Sequence, residues 1–271
     1  MIRPRFWQKI VFWAYGCHRS HREQSLFFLA LLAIVLVPGA AYVAWTAREN
    51  DRDRRQELLQ QARILASAIN PTLVKSLRGT VEDLQQPEYL RLKLELQTVR
   101  QAYPDLRFLY LAGARPDGDI FFFLDNVPDG APDSVRPGEV YHEATPGFRR
   151  AVLNATELIE GPTRDRWGTW ATALVPLIDP RTNTAVANFG IDVAASRWKA
   201  QTLMSVLPGI LLTLLMLAVL GLGLILQRRR QNIPRNQPGG HLEYLETAIA
   251  GIIGVLLTAF VAWHILVMET K

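Results

Sequence analysis

The 271 residues are 49% hydrophobic and 20% charged, with a mean hydropathy of +0.07 and a net charge of +5. Apolar residues concentrate in three runs without Asp, Glu, Lys or Arg, at 25–45, 202–226 and 247–268. That distribution excludes a single soluble globule, a disordered chain and a disulfide-stapled mini-protein, and the one cysteine, Cys17, has no intrachain partner.

Each run has the roughly 20 residues that a helix needs to cross a bilayer core. Pro38 is expected to kink the first run, and Gly39-Ala40-Ala41 after it looks like a cleavage site. The apolar stretch is longer than the roughly 7–15 residues of a signal peptide, so an uncleaved anchor is expected. Arg3, Arg5, Lys9, Arg19 and Arg22 precede the first run, and Arg228, Arg229, Arg230 and Arg235 follow the second. By the positive-inside rule both groups are cytoplasmic. The expected order is a cytoplasmic N-terminus (1–24), span one (25–45), an extracytoplasmic domain (46–201) and span two (202–226). A cytoplasmic connector (227–246), span three (247–268) and a short tail (269–271) follow. The domain at 46–201 holds 20 Lys and Arg against 21 Asp and Glu. The positive excess therefore lies at the inner leaflet, and no basic, aromatic-interleaved surface indicates nucleic-acid binding.

Within 46–201 the spacing of Leu58, Leu59, Ala62, Leu65, Ala66 and Ile69 predicts a helix over 48–70, continuous with the first span and stopped at Asn70-Pro71. Its apolar stripe packs on its own domain or on a second copy. A second helix is predicted over 88–102, with Leu90, Leu94 and Val99 among its apolar positions. Strands follow at 107–112 and 119–125, joined by the turn Arg115-Pro116-Asp117-Gly118. A loop over 126–138 and a short helix over 146–154 come next. Two more strands are predicted at 169–178 and 184–193, then a helix from 194 into the second span. The expected fold is an α+β layered domain with an antiparallel sheet and long N-terminal helices, plus three transmembrane helices. A domain hung between two membrane helices suits a receptor.

Phe108-Leu109-Tyr110, Asp117-Gly118, Phe122 to Asp125, Pro137-Gly138-Glu139-Val140-Tyr141, Glu160-Gly161-Pro162, Trp167-Gly168-Thr169-Trp170, Pro176, Asp179 and Gly190-Ile191-Asp192 form an ordered series of short motifs. Over about 50–200 this series resembles the extracytoplasmic sensors of bacterial membrane histidine kinases and diguanylate cyclases. The resemblance implies a PAS-like, Cache-type fold, an inner-membrane location, and a small ligand held between the sheet and the loops over it. It also implies a homodimer and, since no output domain is legible in these 271 residues, a separate or continuing signalling partner. The amino-acid-binding variant of the family carries a Tyr and Arg-Trp-Tyr pattern that Tyr89-Leu90-Arg91-Leu92 does not reproduce, so an amino-acid ligand is not expected.

The candidate ligand residues are Tyr110, Phe122 and Asp125 on the first hairpin, Tyr141 on the covering segment, Trp167 and Trp170 at the corner, and Asp192 at the end of the last strand. Aromatic walls with a few placed polar groups are ordinary pocket chemistry, and Asp192 or Asp125 can accept hydrogen bonds from a cationic or amine ligand. The alternatives are core packing for Tyr110 and Phe122, a corner staple for the two tryptophans, and a helix cap for Asp192. No enzyme, metal site or cofactor is expected. His142-Glu143 lacks the second histidine of a zinc helix, no nucleophile elbow or phosphate loop occurs, and the aspartates of 117–133 are read as solvated. Gly221 and Gly223 are read as helix-packing positions. The competing reading is a membrane scaffold whose outer domain binds another protein.

Overall fold

The computed structural model describes residues 21–231 and separates into two compact units, one over 46–205 and one formed by the segments up to Trp45 and from Val206.

In the first unit, helix α1 (His21–Ala68) ends just before Asn70. The Asn70 side chain accepts from Thr72 N at 2.9 Å and so caps the short helix α2 (Pro71–Ser76). A 3-10 turn (Val81–Gln85) leads into α3 (Pro87–Ala102). The strands are β1 (Leu106–Ala114), β2 (Ile120–Asp125), β3 (Leu158–Arg164), β4 (Thr169–Asp179) and β5 (Thr184–Ala194), with α4 (Pro146–Asn154) before β3 and α5 (Ala195–Gln231) after β5. They form one antiparallel sheet in the order β2-β1-β5-β4-β3.

Alternation along the strands splits the apolar residues between two faces. Leu109 and Leu111 of β1, Phe121 and Phe123 of β2, Ala173 and Val175 of β4, and Phe189 and Ile191 of β5 face the helices. There they meet Leu58, Ala62, Ala66 and Ile69 of α1 and Tyr89, Leu92 and Leu96 of α3. The α1 stripe thus packs on its own domain. Each fully buried leucine, isoleucine or phenylalanine here contributes about 1.5–3 kcal/mol.

The opposite face carries Phe108, Tyr110, Ala112, Ile120, Phe122, Trp170 and Leu174, packed against Val127, Val135, Ala144 and the α4 residues Phe148, Ala151 and Val152. This face is the candidate site.

In this domain the structure differs from the sequence-based expectation in three places. Strand β3 was not anticipated, because Leu158–Arg164 carries Gly161-Pro162 in its middle. Its register breaks between Glu160 and Thr163, around Pro162, and the strand lies at the sheet edge, where a missing N–H is tolerated. Helix α3 points Leu90 and Leu94 outward and buries Tyr89, Leu92, Lys93 and Leu96, and the buried Lys93 meets Asp125 at the end of β2 and Asp129 in the loop that follows. The aspartates of 117–133 are not uniformly solvated: Asp125 is buried, and Asp129 also binds Lys93. The turn at 115–118 forms as expected, with Gly118 at φ +88°.

Two helical stretches, Leu29–Ala68 and Ala195–Gly223, are long and apolar enough to cross a membrane. Their close approaches are at Gly39 and Gly209. A Cβ on Gly39 would lie 2.6 Å from Thr213 Oγ1, and one on Gly209 would lie 2.8 Å from the Tyr42 ring. Among the described residues nothing lies within 4 Å of a Cβ placed on Gly221 or Gly223, which were expected to pack. The expected third span at 247–268 lies outside the described residues.

Candidate ligand site between the sheet and its covering segment

The chain after β2 turns back along the outer edge of that strand. Gly138 N donates to Phe122 O at 2.8 Å, Phe122 N to Glu139 O at 3.1 Å and Tyr141 N to Ile120 O at 2.8 Å. This pairing carries the Tyr141 ring over the sheet face, where its centroid lies 5.1 Å from Phe122 and 5.4 Å from Phe148. Helix α4 is started by Thr145, whose hydroxyl accepts from Phe148 N at 2.9 Å and donates to Glu160 at 2.8 Å. The cap therefore places Phe148 and Glu160 on one rim.

Tyr110 meets Phe122 edge-on at 5.4 Å and stacks near Phe148 at 6.4 Å. Its ring lies flat across β5: Tyr110 pairs with Gly190, and a Cβ there would sit 2.3 Å from the ring. Only glycine leaves room for that close approach. Trp170 contacts Phe108 edge-on at 5.0 Å, and Trp167 lies 6.1 Å from Phe122 and 6.2 Å from Tyr141. The described site is an aromatic cluster closed on itself.

Asp192 lies at its floor. The strand runs on to Ala194, so the carboxylate does not cap the next helix as one reading had it. It is 7% exposed, accepts from Thr172 Oγ1 at 2.7 Å and lies 3.5 Å from the Tyr110 hydroxyl. No Lys, Arg or His is paired with it among the described residues. Burial pushes its carboxyl up to about 7, against the Thr172 hydrogen bond, and the negative charges of Asp165 and Glu160 push the same way. Burial also raises the carboxyl of Glu160 and the phenols of Tyr110 and Tyr141.

Of the seven residues expected from sequence, six therefore meet: Tyr110, Phe122, Tyr141, Trp167 and Trp170 around Asp192. Asp125 does not join them. Its carboxylate binds Lys93 Nζ at 2.8 Å and accepts from Val127 N at 3.1 Å and Val135 N at 3.0 Å, which fastens the 126–138 loop to α3 and β2.

Asp165 was missed by sequence reading and organises the corner. Its Oδ1 accepts from Trp167 N, Gly168 N and Trp170 Nε1 at 2.9, 3.0 and 2.9 Å, and its Oδ2 from the Tyr141 hydroxyl at 3.1 Å. The signal available was Asp165 followed two and three residues on by Trp167-Gly168, the pattern of an Asx turn. Outside this corner Arg166 forks onto Glu143 at 2.9 and 2.8 Å, reaches Glu139 at 2.9 Å and covers the Trp167 ring at 4.5 Å. The two segments over the site are thus latched to each other. Among the described residues no group of three or more His, Cys, Asp or Glu is arranged to hold a metal ion.

No family model matches the chain, and no curated protein does. Among solved structures, the ligand-binding domain of the Campylobacter jejuni chemoreceptor Tlp3 in complex with L-valine is 12% identical, with a TM-score of 0.42 over 66% of each chain. The same domain with 4-methylisoleucine is 13% identical, with a TM-score of 0.41 over 62% of this chain and 61% of that one. The sensory domain of that chemoreceptor is 11% identical, with a TM-score of 0.38 over 64% and 63%. This chain spans less than two thirds of each of those chains. With TM-scores below 0.5, these likenesses leave the chemistry of the site to the geometry of this chain.

Proposed function

We propose that residues 46–201 form a PAS-like, Cache-type sensory domain of a multi-pass bacterial inner-membrane receptor, facing the extracytoplasmic side. The site binds a small ligand between the sheet and the 139–168 segment, and the bound state shifts the sheet against α1 and α5. The likeness of the motifs to sensor histidine kinases and diguanylate cyclases supports an output of that class, and a homodimer as the working form.

The observation that carries this reading is Asp192: a carboxylate on the sheet floor, beside the aromatic cluster, with hydroxyl neighbours and no cation among the described residues. A structural aspartate is ordinarily given a cation or several backbone N–H groups. A ligand ammonium or amine would supply the missing charge at Asp192, with aromatic faces around it. The test is thermal unfolding of the full chain in detergent against a panel of cationic and neutral metabolites. A binder at one hundred times its dissociation constant stabilises by about 2.7 kcal/mol. The reading requires at least one stabilising compound, whose effect is lost in Asp192→Ala. A panel without any stabilising compound sinks it.

A further inference from the structure

We propose that Asp192 is a proton-binding switch: in the ligand-free site it holds a proton, and losing that proton releases the 139–168 segment from the sheet. The proposal rests on reading this face as the ligand site and names the regulation of that site.

The groups that face Asp192 come from every element around it. Tyr110 of β1 and Thr172 of β4 offer hydroxyls, and Phe148 of α4 stacks near the Tyr110 ring. Glu160 of β3 and Asp165 of the β3–β4 corner add negative charge, and Tyr141 of the covering segment binds Asp165. Four guanidiniums of this region have other partners. Arg166 binds Glu139 and Glu143, and Arg107 binds Asp133. The Nε of Arg149 donates to Ala144 O, and Arg55 binds Asp51 and Gly161 O.

An ionised Asp192 in this setting is a buried charge beside two like charges. Three changes relieve it: a proton, a cationic ligand group, or water admitted by displacement of the covering segment. The first keeps the aromatic cluster shut, and the burial-driven rise of the Asp192 carboxyl puts proton loss near neutral pH. Tyr141 is the mechanical link, since its ring lies on the sheet face while its hydroxyl is bound to Asp165. Proton and cationic ligand therefore compete for one carboxylate.

The experiment uses the full chain in lipid nanodiscs with the proton as the sole probe and no added ligand. Infrared difference spectra between about pH 5 and about pH 9 read the C=O stretch of protonated carboxyls, and hydrogen exchange over 139–168, corrected for intrinsic rate, reads opening. The expected result is a carboxyl band lost with a midpoint near neutral, absent in Asp192→Asn and kept in Asp125→Asn. Exchange over 139–168 is expected to rise by up to about tenfold per pH unit above that midpoint, and to stay flat in Asp192→Asn. Glu160→Gln provides a second handle, since removing a like charge lowers the midpoint. A midpoint below about pH 5, a band unchanged in Asp192→Asn, or exchange that ignores pH overturns the switch. None of these outcomes touches the ligand-site reading, which stands or falls on the metabolite panel.

Discussion

Two buried aspartates in one sheet have opposite surroundings. Asp125 closes β2 at the sheet edge and Asp192 lies within the central strand β5; they are 2% and 7% exposed. Asp125 is met by the Lys93 ammonium and two backbone N–H groups, and its ion pair with Lys93 fastens helix to sheet. Asp192 is met by hydroxyls, and among the described residues its charge has no opposite. Burial raises both carboxyls, but at Asp125 the Lys93 charge works against the rise, whereas at Asp192 the neighbouring acids work with it. Burial alone does not separate a tie from a site. The charge that accompanies it does.

The strongest way to break the comparison is to make Asp125 resemble Asp192. Lys93→Met strands a buried carboxylate and is expected to cost about 3–5 kcal/mol in urea unfolding at neutral pH, with much of it recovered by adding Asp125→Asn. If Lys93→Met is neutral, Asp125 is not a structural tie.

The reverse experiment removes the charge of Asp192. The unfolded carboxyl ionises near 3.8 and the folded one near 7, so the folded state holds the extra proton between them and wild-type stability falls as pH rises through that window. Asp192→Asn abolishes the fall. It is expected to match wild type below about pH 4 and to exceed it above about pH 7 by up to ~4 kcal/mol. Loss of stability at both pH values would show that Asp192 is structural.

Gly190→Ala drives a methyl into the Tyr110 ring, which Phe122 and Phe148 hold in place, and is expected to cost about 1–3 kcal/mol. Thermal unfolding checks this, and no loss would mean that the Tyr110 ring moves freely. The smallest effect belongs to Thr145→Ala, which removes the α4 cap and the hydroxyl bound to Glu160, at about 1 kcal/mol. Its readout is the unfolding midpoint, with a raised Glu160 carboxyl as the second sign.

Part of the site was legible because turn chemistry and short motifs are local. The Asp-Gly turn joined β1 to β2 and so put Tyr110 and Phe122 on one hairpin, while the register of the folded sheet gave them a common face. Trp167 and Trp170 were legible as a corner, but the residue that makes the corner, Asp165, was not singled out. Its role depends on Tyr141, 24 residues earlier, arriving at its second oxygen. Asp125 was misplaced for the same kind of reason. Nothing near it in sequence announces Lys93, 32 residues away on a helix that shows apolar residues on both sides.

The sequence by itself determined the apolar runs, the helical continuation of the first run into α1 and an antiparallel α+β domain with aromatic-rich strands. Those follow from periods of 3.6 and 2, from turn residues and from hydrophobic length, all properties of neighbouring residues. Only the tertiary structure decided that the edge strand β3 exists, which face of α3 is buried, and which of two aspartates has a counter-charge. Edge pairing, face selection and ion pairing are set by groups far apart along the chain, and no local pattern encodes the partner.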